Sequence, residues 1–233
     1  MSASFTVSGN SPQPFVGATR LQESLVAPAE KRILIWLAAR TPAWINSDHL
    51  TLLGFVSQCF VGVCYALSRL NADMLIVGVA CIALNWLGDS LDGTLARIRN
   101  RQRPRYGFYV DHISDTIAAF FLIAGLAMSG YAHPVIAFGM LIAFLMLSIE
   151  TYLATYTLGK FRLSYWIFGP TEIRILLAVG NLALLRNPTV GLFNRRVLLF
   201  DFGGLIAIAG MSTMLIISTI RHTAALYQEE KIR

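Results

Sequence analysis

An all-helical integral membrane fold is the architecture the sequence predicts, with six transmembrane helices preceded by an amphipathic juxtamembrane helix. Composition is the first reason. Of 233 residues, 55% are hydrophobic and 14% are charged, where a soluble domain carries roughly 25% charged residues. The second reason is the recurrence of nearly uncharged apolar runs close to the ~20 residues needed to cross a bilayer. The third is the distribution of Lys and Arg. With the N-terminus placed in the cytoplasm, 15 of the 19 fall on that side and Arg69, Arg186, Arg195 and Arg196 on the other, the bias expected of cytoplasmic loops. A formal charge of +6 thus marks topology and not a nucleic-acid partner.

Taken in order, residues 1–28 form a polar segment with no apolar stretch beside positive charge, so no signal peptide is expected. Residues 29–47 hold an amphipathic helix and a linker. Ile33, Leu34, Trp36 and Leu37 alternate there with Lys31, Arg32 and Arg40, the pattern of a helix lying on a membrane surface or packed on a neighbour. The transmembrane unit covers 48–220. Its expected spans are 50–68, 74–96, 107–130, 134–158, 166–185 and 202–220, and a charged cytoplasmic tail follows at 221–233. The fifth span is the weakest, with Glu172 and Arg174 near its start. Cys59, Cys64 and Cys81 sit within apolar runs without metal-ligand spacing and read as small buried residues.

The chemistry concentrates between Asp89 and Asp115. At 100° per residue, Asp89, Asp92, Gly93 and Ala96 share an arc of about 100° on the second span. Gly107, Asp111 and Asp115, four apart, form one stripe on the third. The short connection makes these helices antiparallel neighbours, so the two acidic faces can meet. Each Asp within a span costs roughly 2.5–3.5 kcal/mol, and clustered carboxylates repel. Hard divalent cations compensate such a cluster, and two metals bridged by carboxylates suit phosphoryl chemistry. Small Gly93, Ala96 and Gly107 leave room for a helix or a ligand, and Arg97 can meet a phosphate. A polar seam between helices and a proton or ion pathway are the competing readings of the same cluster.

Asp89-x-x-Asp92-Gly93-x-x-Ala96-Arg97, followed by Gly107-x-x-x-Asp111-x-x-x-Asp115, resembles the signature of the CDP-alcohol phosphatidyltransferase family. All eight positions are present in order. The resemblance implies that Asp89, Asp92, Asp111 and Asp115 hold two divalent metals, Mg2+ or Mn2+, and that Asp115 is the base for the acceptor hydroxyl. It implies that Gly93, Ala96, Arg97 and Gly107 surround the nucleotide of a CDP-linked donor, with CMP as the leaving product. It also implies a homodimer. The family's Pro-Asn-x-x-Thr at the first span is here Ser47-Asp48-His49-Leu50-Thr51. Thr51 is kept, and Asp48 is either a contact to the cytidine or to a neighbour of the metal site, or a helix N-cap.

The motif leaves the donor branch open. The short chain favours CDP-diacylglycerol and a bacterial inner-membrane setting. His112 and Thr171-Glu172 resemble the branch that uses CDP-choline or CDP-ethanolamine. His112 could orient substrate, act as a second base or simply pack. Glu172, Arg174 and Glu150 are the acceptor-site candidates, with Tyr152, Lys160 and Arg162 beside them. Glu150 could instead pair with an Arg of another helix, and Lys160 and Arg162 could merely mark topology. An ion transporter, a lipid phosphatase and a structural subunit are the rival classes.

Overall fold

The computed structural model describes residues 19–21, 27–158, 160–162, 169–192 and 195–231, and the side chains of 19–21, 27 and 160–162 are outside that description. Most of the 1–28 segment, the start of the expected fifth span at Trp166 and the side chains of Lys160 and Arg162 therefore lie outside the described residues. Among those described there are seven helices: α1 (Ala27–Arg40), α2 (Ser47–Ser68), α3 (Met74–Ile98), α4 (Pro104–Ser129), α5 (Pro134–Leu158), α6 (Pro170–Arg186) and α7 (Leu199–Glu229). Two short pairings accompany them. Strand β1 (Thr19–Leu21) runs parallel to β2 (Lys160–Arg162), and β3 (Thr189–Leu192) is antiparallel to β4 (Arg195–Leu198).

Five helices, α2, α3, α4, α5 and α7, are long and apolar enough to cross a membrane. Helix α6 is shorter than expected. It has 17 residues, about 25 Å at 1.5 Å per residue. It starts at Pro170 because Gly169 is its N-cap and the Glu172 carboxylate accepts from the Gly169 N–H at 2.9 Å. Pro at the first position, followed by a reach-back acid, is a strong start signal. Helix α7 is longer than expected. It runs 31 residues, to Glu229, and takes in the first part of the tail assigned to 221–233, since Ala224, Ala225, Leu226 and Gln228 all favour helix. The hairpin β3–β4, absent from an all-helical reading, takes in Arg195 and Arg196.

Helices in hydrocarbon gain little from apolar burial against lipid and rely on close packing of small residues. Here Gly88 of α3 packs against Gly54 of α2. A Cβ at Gly88 would lie 2.5 Å from the Gly54 nitrogen and 2.5 Å from the Leu50 oxygen. Gly125 of α4 meets Gly62 of α2, with a Cβ at Gly125 only 1.9 Å from the Gly62 oxygen. These are the close-approach glycines. The motif glycines play another part: a Cβ at Gly93 meets only the Arg97 guanidinium at 3.4 Å, and at Gly107 no described atom lies within 4 Å. We expect Gly88→Val to force α2 and α3 apart at a cost of about 1–3 kcal/mol. A lowered thermal midpoint of the monodisperse protein in detergent is the readout, and an unchanged midpoint would contradict the packing.

Two apolar clusters hold the ends of the bundle. One contains Val61, Tyr65, Leu75, Ile82, Leu126 and Leu184. Beside it the Tyr65 hydroxyl donates to Asn181 Oδ1 at 2.8 Å, joining α2 to α6. The other contains Leu34, Ala38, Leu50, Leu91 and Leu95, and lays α1 on α3. Glu30, Leu34 and Ala38, four apart, form the buried face of α1, while Ile33 and Trp36 on another face are about half exposed.

The turn between α3 and α4 is built with care for its backbone. Asn100 takes the left-handed conformation (φ 52). The Arg101 N–H reaches the Ala96 oxygen (2.9 Å) and the Asn100 N–H reaches the Arg97 oxygen (3.2 Å), the Schellman pattern that satisfies the last carbonyls of a helix. Arg99 then donates to the carbonyls of Ile45 (2.5 Å), Thr41 (2.8 Å) and Pro42 (3.0 Å), tying the α1–α2 linker to the end of α3.

Candidate active site

The stripes expected on the second and third spans come together. Carboxylate oxygens of Asp89 on α3 and of Asp111 and Asp115 on α4 lie within 4.8 Å of one another. They border a cavity of about 10 Å³ that is also lined by Thr51, Gly54, Phe55, Gln58, Asn85 and Ser114. That volume suits one water- or ion-sized occupant. Asp92, on α3, lies outside that group of three. Its Oδ2 accepts from Thr51 Oγ1 at 2.6 Å, and its Oδ1 accepts from the N–H of Gly93.

A cation reaches the cluster from α6. Arg174 donates through Nη2 to Asp89 Oδ2 at 2.6 Å and through Nε to Asn85 Oδ1 at 2.7 Å. Asn85, 5% exposed, passes its own amide hydrogens to the Gly54 carbonyl (2.9 Å) and Gln58 Oε1 (3.1 Å). A polar chain thus runs Gln58–Asn85–Arg174–Asp89 through the helices. One guanidinium cannot balance this many carboxylates, so the residues present fit a hard divalent cation.

His112 stacks on Phe108 with centroids 4.1 Å apart and meets Tyr152 edge-on at 4.9 Å. Its Nδ1 lies 2.6 Å from the Phe108 carbonyl. A carbonyl only accepts, so Nδ1 carries a proton there.

A larger cavity, about 370 Å³, opens beside Asn46, Ser47, Asp48, Leu95, Ala96, Arg99, Arg101, Gln102 and Arg103. Asp48 pairs with Arg103 at its rim. The N-cap of α2 is Asn46, whose N–H donates to His49 Nδ1 at 3.2 Å. Asp48 therefore lies in the first turn, where a carboxylate complements the helix dipole. Arg97 bonds Thr94 Oγ1 at 3.0 Å beside Gly93.

The acceptor-site candidates separate. Arg174 is in the cluster. Glu172 is buried and caps its own helix. Glu150 faces α7, where its Oε1 lies 2.5 Å from His222 Nδ1. The partner expected of Glu150 was an Arg. Sequence reading passed over Asn85 and Gln58. Asn85 lies one turn before Asp89 on the same face, a polar residue in an apolar run. Gln58 lies seven after Thr51 on α2. Helical spacing could have found both.

Residues 44–222 match the family model described as CDP-alcohol phosphatidyltransferase. This chain belongs to that family. A curated relative is the archaetidylinositol phosphate synthase of Methanothermobacter thermautotrophicus, 31% identical over 87 residues, which is 37% of this chain. The aligned stretch spans 42% of that relative's length. In this member of the family the signature occupies the facing sides of α3 and α4. Its three gathered carboxylates are backed by Asn85 and Arg174, and its Thr51 holds Asp92.

Proposed function

We propose that this chain is a transferase of phospholipid synthesis. It moves a phosphatidyl group from a CDP-linked donor, CDP-diacylglycerol, to an alcohol hydroxyl and releases CMP. The gathering of Asp89, Asp111 and Asp115 against Arg174 carries the reading, and membership of the family supports it. Asp115 takes the acceptor proton. The hydroxyl oxygen then bonds to the phosphorus of the transferred group, and the bond from that phosphorus to the bridging oxygen breaks. CMP leaves with the bridging oxygen. Two divalent ions, Mg2+ or Mn2+, held by the four aspartates would neutralise the donor pyrophosphate and the departing charge. Arg97 bonds the donor phosphate, a reading its guanidinium beside Gly93 supports, and Gly93 and Gly107 leave the backbone open for a nucleotide to approach. Ala96 and Asp48 line the larger cavity, which suits the cytidine, and Thr51 steadies Asp92. Arg174 serves the acceptor pocket, with Glu172 fixing the start of its helix. His112, beside Asp111, orients the acceptor.

The membrane layout follows from the same reading. Helix α6 is the sixth crossing, α1 lies along the cytoplasmic surface, and the aspartates open to the cytoplasm of a bacterial inner membrane. The Lys and Arg bias supports that orientation. The assembly is a homodimer, as the family resemblance implies. A single cysteine placed at Gln102, in a variant without the native three, is then labelled only from the cytoplasmic side, and one placed at His133 only from the other. The reverse pattern would overturn the orientation.

The acceptor is tested by incubating purified protein with Mg2+, CDP-diacylglycerol and each of glycerol 3-phosphate, serine, inositol, inositol phosphate, choline and ethanolamine. CMP release with one of them is the expected result. Release only from CDP-choline or CDP-ethanolamine with diacylglycerol would move the chain to the aminoalcohol branch. No release with any pair would count against a transferase.

A further inference from the structure

Glu30 is the single acid of α1 and lies on its buried face, 6% exposed. Its Oε1 accepts three hydrogen bonds, from Trp86 Nε1 (2.8 Å), Ser90 Oγ (3.1 Å) and Thr171 Oγ1 (2.9 Å). Trp86 and Ser90 are on α3, and Thr171 opens α6. An ionised carboxylate only accepts, so all three donors must turn toward it. Hydrogen bonds to a charged acceptor are roughly twice as strong as neutral ones. A carboxylate buried among neutral donors is costly, and apolar contact alone would have held α1 to α3, as Leu34 and Ala38 already do. What the carboxylate adds is direction.

The donors flank the polar chain described above. Trp86 follows Asn85, Ser90 follows Asp89, and Thr171 is one turn before Arg174. Fixing Ser90 and Thr171 on one oxygen sets the rotation of α3 and α6, and with it the meeting of Asp89 and Arg174 at 2.6 Å. We propose that Glu30 is a positioning residue for the transfer reaction, a brace from α1 that holds the Asp89 and Arg174 helices in register behind the aspartate cluster. This rests on the transferase reading. Helix α1 is then part of the active-site framework and does more than attach to a surface.

The test compares wild type with Glu30→Ala, Glu30→Gln and Thr171→Val. Each is followed by CMP release, by Mn2+ binding in the absence of substrate, and by elution and thermal midpoint in detergent. A displacement near 1 Å is enough to cost about 10²-fold in rate. We expect Glu30→Ala to elute as wild type does, to lose tenfold or more in kcat with donor KM within threefold, and to bind Mn2+ more weakly. Glu30→Gln keeps an accepting oxygen and recovers most of both. If Glu30→Ala does not fold, Thr171→Val, which removes one donor at constant volume, carries the same expectation at about threefold. Wild type that transfers, with Glu30→Ala or Thr171→Val matching it in kcat and Mn2+ affinity, overturns the brace and leaves the transferase reading standing. Wild type that transfers nothing overturns that reading first, and the brace with it.

Discussion

Asp115→Asn protein inserts, folds and binds its CDP-linked donor, and transfers about 10²- to 10⁴-fold more slowly than wild type, the range that loss of a general base produces. The substitution is nearly isosteric. It keeps an oxygen among the carboxylates of Asp89 and Asp111, but an amide cannot take a proton from the acceptor. The readout is CMP release beside equilibrium binding of a non-hydrolysable CDP analogue. Loss of donor binding in parallel with loss of transfer would reassign Asp115 to a purely ligating or structural role.

The second large effect is expected at Asp89. Asp89→Ala removes one of three gathered carboxylates and also leaves Arg174 without its 2.6 Å partner. A guanidinium that loses its carboxylate and keeps only the Asn85 hydrogen bond is costly in its own right. Turnover should fall at least 10²- to 10³-fold, Mn2+ binding should fall with it, and the thermal midpoint should drop. The double variant Asp89→Ala/Arg174→Ala recovers part of the midpoint and none of the activity, because it removes the cation that lost its carboxylate but not the need for the ligand. Recovery of activity in the double variant would contradict the account of Asp89.

Much of this site is legible in one dimension because its main determinant is local. Asp89 and Asp92 share a turn, Asp111 and Asp115 share the next helix, and a connection from Arg99 to Arg103 leaves those helices no choice but to pair. The same logic located α2 to α5 closely. It failed where the decisive contact joins distant segments. Arg174 is 85 residues from Asp89, and Glu30 is 141 from Thr171. No periodicity connects such pairs. Glu150 and His222 belong to the same class, each an ordinary polar residue until α5 and α7 pack together. The start of α6 is a different case. The apolar residues before Gly169 masked a capping signal, Gly-Pro-Thr-Glu, that is local and was there to be read. The hairpin β3–β4 is four residues per strand, too short for alternation to stand out beside the flanking apolar runs.

The glycines carry a related lesson. Gly93 and Gly107 belong to the signature, yet the tight crossings are made by Gly54, Gly88, Gly62 and Gly125. Small residues on a helix serve packing in one place and access in another, and only the neighbour across the gap distinguishes them.

The most direct test of the central claim is the stoichiometry of the wild-type reaction. Purified protein in detergent is given CDP-diacylglycerol, Mg2+ and its accepted alcohol, and CMP and lipid product are measured together. One CMP per phosphodiester formed, with both ending when the divalent ion is chelated and neither appearing without acceptor, is the predicted result. CMP released without acceptor, inorganic phosphate in its place, or transfer that continues under chelation would contradict the account.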